Sequence, residues 1–545
     1  MSSPGRTDRL RERLPRAGRE RLPDGLTVLA VVVAVALVVP LTWLFVEVFD
    51  LGPRALELTV DPQTIEVLLR SVALVVVVTT GSVLVGVPIA VLTARTDLPF
   101  ARFWTVLTAL PLAIPSYLGA LAVISGFGSG GSLNTLLAPL GLPELPAVTG
   151  FAGAAAVLTL YTYPYVLLTT RASLLSLDTS LVEAARTLDT GRLGAFRRVT
   201  LPQIAPGIAA GALLVALYTL ADFGTPNFMG VEVFTQFIYA RYQNLMRPYA
   251  ALLSLQLLGV TAAILYLESQ LGADDEGAYA SRGSRGGALI KLGNWRYVAA
   301  LVPATVALLA VALPVAVFGL WLTGDGAGYN TGGLAFSWTY GWNSVYLAVF
   351  AAIASILVAL PVAVAAARGR SRLARLADRL SYVGYATPGI VIAIALLLAS
   401  LHGLPKSATE LVYRSLPLLV FAYVVRFVPQ AIGAIRASTM QVDSRLIEAA
   451  RTLGRSRLGA FRAVTLPLIA PGIATGAALV FLTTMKELPA TLMMRPLQFD
   501  HTLVTYIWKV REAGLYGQAA IPALALIVIS GLSMAVILAQ EGSNT

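Results

Sequence analysis

Along the 545-residue chain, apolar runs of about 20 residues alternate with short polar stretches. An α-helix needs roughly 20 apolar residues to cross a hydrocarbon core of about 30 Å. Twelve runs approach or reach that length: 26–49, 69–94, 103–125, 151–172, 204–222 and 249–270, then 297–323, 344–367, 381–400, 409–434, 469–485 and 517–539. Several contain Pro or Gly, which spanning helices tolerate because neighbouring groups re-satisfy the freed backbone. Residues 1–25 form a basic tail, expected to be cytoplasmic. Residues 271–296, LGADDEGAYASRGSRGGALIKLGNWR, read as a flexible linker, Gly/Ser-rich and mixed in charge. The pattern predicts an all-α integral membrane protein of two six-helix units, 26–270 and 297–540.

The two units are related in sequence. SVALVVVVTTGSVLVGVPIAVLTAR from Ser71 resembles SVYLAVFAAIASILVALPVAVAAAR from Ser344 at an offset of 273 residues; Ser71, Pro88 and Arg95 match Ser344, Pro361 and Arg368. Further on the offset is 265, and Pro164, Arg171 and Asp178 match Pro429, Arg436 and Asp443. The strongest match is the most polar. EAARTLDTGRLGAFRRVTLPQIAPGI (Glu183–Ile208) and EAARTLGRSRLGAFRAVTLPLIAPGI (Glu448–Ile473) agree at 21 of 26 positions. Six spans per unit is an even number, so both units keep one orientation. Their pseudo-twofold axis is expected along the membrane normal, as for parallel repeats.

Composition narrows the function. The chain is 57% hydrophobic and 13% charged, against about a quarter charged in a soluble domain. The net charge of +11 sits in short loops, not on one soluble face as a nucleic-acid partner requires. Lys/Arg bias assigns both termini and both copies of the doubled segment to the cytoplasmic side of a plasma or inner membrane. There is no cysteine, and the only histidines are His402 and His501, so neither a thiolate metal site nor HExxH can form. No Gly-Lys pair occurs, so no Walker A loop is present to cradle ATP. No metal or cofactor is expected on this chain, and any ATP-driven activity needs a second protein.

Each copy of the doubled segment begins with a helix-favouring run, Glu183–Leu188 or Glu448–Leu453. A turn follows, starting at Gly454 in the second copy and at Asp189 in the first. RLGAFRRV or RLGAFRAV then reads as a second short amphipathic helix before the next span. A bare topology signal needs charge alone, not 21 matched positions that include Ala, Leu, Phe, Gly and Pro. The segment resembles the EAA loop of type I ABC transporter permeases: Glu-Ala-Ala, three residues, Gly, then about nine residues to Ile/Val-x-Leu-Pro. Copy two carries Glu448, Gly454, Val464, Leu466 and Pro467; copy one departs at Asp189.

The resemblance implies a helix-turn-helix docked in a groove of an ATPase. On that basis Glu183, Ala184, Ala185, Arg186 and Asp189, with Glu448, Ala449, Ala450, Arg451 and Gly454, couple to two ATPase subunits that use ATP and Mg. It also implies a separate extracytoplasmic solute-binding protein as partner, besides membrane lipid. MKELPATLMMRP from Met485 and YTYPYVLLTTRASL from Tyr161 are similar to the fused twelve-helix ferric-iron branch. Permeases for thiamine, polyamines and phosphonates share the architecture.

The fifth spans end in TLADFGTPNF and TTMKELPATL, where Asp222 matches Glu487. Carboxylates at membrane depth face a cavity or a partner. These two either lie on the translocation path, or end helices near headgroups with Lys486 neutralising Glu487 locally. Pro164 and Pro429 either bend walls of the path or only relieve packing. A twelve-helix secondary transporter is the competing class, but it gives no reason for the doubled segment. A membrane enzyme needs convergent acid, base or nucleophile groups, and the sequence holds no such set.

Overall fold

Residues 25–177, 194, 196–272, 289–323, 334–367 and 372–542 are described by the structure, a computed structural model, without the side chains of 268–272 and 534–542. The first half contributes α1 (Gly25–Phe49), α2 (Pro62–Arg95), α3 (Ala101–Leu112), α4 (Ser116–Gly126), α5 (Gly150–Ser176) and α6 (Phe196–Ala221). Short α7 (Gly224–Phe228) and α8 (Phe234–Gln243) lead to α9 (Arg247–Gly272). The second half contributes α10 (Trp295–Leu322), α11 (Trp338–Ala367), α12 (Arg372–Ala386), α13 (Gly389–His402) and α14 (Leu416–Met440). α15 (Ser444–Thr452), α16 (Arg457–Met485), α17 (Pro489–Met494), α18 (Leu503–Glu512) and α19 (Ala520–Gly542) complete it.

Among the described residues ten helices are long and apolar enough to span a membrane. The expected runs 103–125 and 381–400 are not straight spans. Each is a bent pair, α3–α4 at 88° and α12–α13 at 108°. Proline sets both breaks. The residue before a proline is pushed out of the α region, and Thr387 adopts φ −81°, ψ 125°. Pro115 and Pro388 then stand extended, at ψ 134° and 141°, as the N-caps of α4 and α13.

The internal repeat is also a repeat of packing. α2 lies along α5 and α6, as α11 lies along α14 and α16; α5 and α6 pair as α14 and α16 do. Small residues permit the close approach. Gly207 and Gly211 on α6 face Ser173 and Val166 of α5, and Gly472 and Gly476 on α16 face Ser438 and Ala431 of α14. A Cβ on Gly207 or Gly472 would collide with the serine hydroxyl opposite. The matched serines do matched work as well. Phe234 N–H donates to Ser71 Oγ at 2.9 Å at the start of α8, and Leu503 N–H donates to Ser344 Oγ at 2.8 Å at the start of α18.

The first span of each half packs on the other half. α1 lies against α11, α12 and α13, while α10 lies against α3 and α4. Glu47, buried on α1, meets His402 Nδ1 at the end of α13 at 3.2 Å. Tyr161 on α5 donates its hydroxyl to the Ala310 carbonyl of α10 at 2.9 Å. The described end of the linker docks on the turn after α2, where Ile290 N–H donates to the Arg95 carbonyl at 2.8 Å.

Candidate coupling and translocation sites

The second copy of the doubled segment forms a capped helix and a tight turn. Asp443 caps α15, its carboxylate accepting from Arg445 N–H at 2.9 Å. Gly454 closes it at φ +83°, a left-handed conformation that glycine adopts without steric cost. Arg455 N–H reaches the Ala450 carbonyl and Gly454 N–H reaches the Arg451 carbonyl, each at 3.1 Å. That pair of bonds is a Schellman closure. Ser456 then caps the next helix by accepting from Gly459 N–H at 3.1 Å.

RLGAFRAV is not a separate short helix, as the sequence suggests. It forms the first turns of α16, with a π-helical segment at Phe461–Thr465 where it joins the span. This stretch is therefore continuous with a membrane helix, and α15 joins it through the turn at Gly454. Glu448, Ala449, Arg451 and Gly454 are exposed, and Ala450 is buried at its base. Around them Leu446, Leu453 and Leu458 are 49%, 84% and 58% exposed. A capped helix showing apolar side chains between charges is the form of a surface that docks in a groove. Glu183, Ala184, Ala185, Arg186 and Asp189 lie outside the described residues.

At the opposite end of α6 and α16 stand the two carboxylates. Asp222 is half-buried. It accepts from Ser116 Oγ at 2.6 Å and from Thr225 N–H at 2.9 Å. Glu487 is buried. It accepts from Ala490 N–H at 3.0 Å and Thr491 N–H at 3.2 Å through Oε2, and from Arg426 Nη1 at 2.8 Å through Oε1. Each carboxylate thus holds the backbone of the short helix that follows it. Lys486 does not neutralise Glu487. Its ammonium donates to the Leu112 carbonyl of the first half at 2.7 Å, and the counter-ion is Arg426 of α14. Pro164 and Pro429 lie inside α5 and α14 and are buried.

Residues not singled out from the sequence complete the region. Ser116 Oγ lies 3.1 Å from Tyr218 Oη. Tyr117, 5% exposed, packs against Gly224, two residues beyond Asp222, and its hydroxyl is without a partner among the described residues. Tyr165 and Tyr218 approach at 6.1 Å between ring centroids. The second-half counterparts of Ser116, Tyr117 and Tyr218 are Gly389, Ile390 and Thr483. A Cβ on Gly389 would run into Arg426 Nη1 and Glu487 Oε1, so the bare N-terminus of α13 is what admits the guanidinium. The signal was in the repeat itself, at positions where its halves differ.

Beyond the carboxylates the halves are clamped together. Trp508 of α18 stacks on Phe223 at 5.1 Å, and Arg511 donates to the carbonyls of Asn227 and Phe228 at 3.0 and 3.3 Å. In the loop before α18, His501 is held down to a pKa of about 4, by burial first and then by Arg495 and Lys509. Among the described residues no group of three or more His, Asp or Glu could hold a metal ion.

The chain matches the family described as binding-protein-dependent transport system inner membrane component, over residues 86–324 and 359–541. It belongs to that family: it is a multi-pass inner-membrane permease subunit of an ABC importer. Among its relatives, the Fe(3+)-transport system permease protein FbpB 2 of Haemophilus influenzae is 29% identical over 516 residues, covering 94% of this chain and 97% of that one. The probable ABC transporter permease protein y4fN of Sinorhizobium fredii is 26% identical and covers 81% of each. The molybdenum transport system permease protein ModB of Mycobacterium tuberculosis is 30% identical over 39% of this chain and 82% of its own. Two family matches in one chain agree with the doubled packing.

Proposed function

We propose that this permease carries ferric iron across the inner membrane and is driven by two ATPase subunits. The observation that carries the cargo assignment is the near full-length similarity to a ferric-iron permease, through both halves and the linker between them. The doubled segment supports the drive, read as a lever: capped α15, with Leu446 and Leu453 exposed, turns at Gly454 into the start of α16, where Leu458 is exposed, so a push on it reaches a membrane helix. The copy at Glu183, Ala184, Ala185, Arg186 and Asp189 would take the second ATPase. In this reading ATP and Mg stay on those partners, and this chain hydrolyses nothing. Both levers and both termini face the cytoplasm. An extracytoplasmic receptor delivers the cargo to the opposite end, and Asp222, Glu487, Pro164 and Pro429 belong to the region it crosses.

The test is uptake of radioactive iron into proteoliposomes holding the permease, its ATPase and its receptor. Uptake is expected only with ATP and receptor together. Uptake driven by an ion gradient without ATP would return the chain to the secondary-transporter class. ATP-dependent uptake of thiamine, a polyamine or a phosphonate, and not of iron, would change the cargo alone.

A further inference from the structure

The two halves treat their equivalent carboxylates differently. In the second half Glu487 is buried and paired with Arg426, in space left by Gly389. In the first half Asp222 is half-buried, and no cation lies within ion-pair distance among the described residues. Arg426 spends its direct bond on Glu487. Around Asp222 the first half gathers Ser116 and Tyr218, with Ser116 bonded to both. It adds the buried Tyr117 hydroxyl, without a partner among the described residues, on a side chain packed against Gly224, two residues beyond Asp222. A buried hydroxyl without a partner is unfavourable unless something fills its place. The second half has Gly389 and Ile390 in place of Ser116 and Tyr117, and in place of Tyr218 it has Thr483, whose hydroxyl already donates to the Leu479 carbonyl at 2.8 Å.

A carboxylate and three hydroxyls form an all-oxygen set, the donor chemistry of hard cations. We propose that Asp222, Ser116, Tyr117 and Tyr218 form a transit site for a hard multivalent cation, on one side of the pathway only. The assignment rests on the permease reading above and gives it a contact point. The cation takes the place of the Ser116 proton on the Asp222 carboxylate, meets the free Tyr117 hydroxyl, and leaves the Ser116 and Tyr218 oxygens to turn toward it. Arg426, fixed on Glu487 nearby, keeps the residence short by repulsion.

The full chain in nanodiscs of neutral lipid is titrated with Tb³⁺, whose emission is sensitised by tyrosine at close range. Wild type is expected to give saturable sensitised emission. Asp222→Asn, which keeps the shape and a hydrogen-bond acceptor, should weaken binding at least tenfold. Tyr117→Phe, which removes only the unpartnered hydroxyl, should weaken it several-fold and leave the melting temperature unchanged. Binding unaltered in Tyr117→Phe and in a folded Asp222→Asn overturns the proposal. Should Asp222→Asn fail to fold, Tyr117→Phe alone decides it. Iron uptake in the reconstituted importer separates the two claims. Wild-type uptake with unaltered Tb³⁺ binding in both variants removes the site and leaves the permease reading, whereas site-dependent Tb³⁺ binding without iron uptake removes the cargo and leaves the site.

Discussion

Arg426 Nη1 stands 2.8 Å from Glu487 Oε1 at the point where the first half has Tyr161 and Asp222. The pair ties α14 to the end of α16, and Glu487 in turn holds the first amides of α17. Removing one partner of a buried pair leaves an uncompensated charge, a loss of about 3–5 kcal/mol. Arg426→Gln is expected to fall in that range, measured by thermal unfolding of the purified chain. The double change Arg426→Gln with Glu487→Gln should lose less than the sum of the singles. Additive losses would mean the two side chains do not depend on each other.

Gly389 is small because Arg426 occupies its side-chain space. Gly389→Ser restores the residue of the first half at this position and is expected to push the guanidinium off Glu487. The melting temperature should drop as far as in Arg426→Gln. A variant as stable as wild type would show that the guanidinium has another place to go.

Ser344 and Ser71 each accept from the backbone N–H that opens the helix packed beside them. Ser344→Ala strands the buried Leu503 amide, and Ser71→Ala strands that of Phe234. Each should lose about 1–3 kcal/mol, and α18 or α8 should exchange its first amides faster. Unchanged exchange at Leu503 would remove the assigned role.

His501 has a folded-state pKa of about 4, below the roughly 6.5 of an unfolded chain. The unfolded chain therefore binds the proton first. His501 stabilises fully above about pH 6.5, and that contribution is lost as pH falls toward 4. His501→Gln should flatten this part of the stability-against-pH curve. A wild-type curve identical to that of the variant between pH 7 and 4 would contradict the shift.

Leu453 is 84% exposed at the tip of the lever, and Gly454 carries φ +83° beside it. Leu453→Asp and Glu448→Arg are expected to leave the melting temperature within the small range of surface changes, about 0.5 kcal/mol. Both should still cut co-purification with the ATPase several-fold. Gly454→Ala should weaken the lever by about 1 kcal/mol through its backbone. Full co-purification of the Leu453 and Glu448 variants would detach the lever from docking.

The sequence was informative wherever a local rule decides the structure. Gly454 after a helix-favouring run marked the turn, whereas the Ser71–Ser344 match marked only the repeat, and the bond the two serines share came from the structure. The spans were legible from length and apolarity, but their breaks were not. Proline lies within α5, α14 and α16 and interrupts at Pro115 and Pro388, so residue type alone does not mark a break. Charge pairing was misjudged for a related reason. Lys486 is the sequence neighbour of Glu487, yet the helix end turns its ammonium to the other half, and the counter-ion comes from a residue 61 positions away. Amphipathic pattern shows that a helix is buried and says nothing about which helix buries it.

The exchange of first spans bears on how the protein is made. α1 packs on α9 of its own half but is synthesised long before α11, α12 and α13, which cover the rest of its packing face, so the amino-terminal half cannot finish its tertiary structure by itself. It waits in the bilayer with that face against lipid until Trp338–Ala367 has been threaded in. Carrying both halves on one polypeptide guarantees that the awaited surface arrives from the same ribosome, beside the span that needs it.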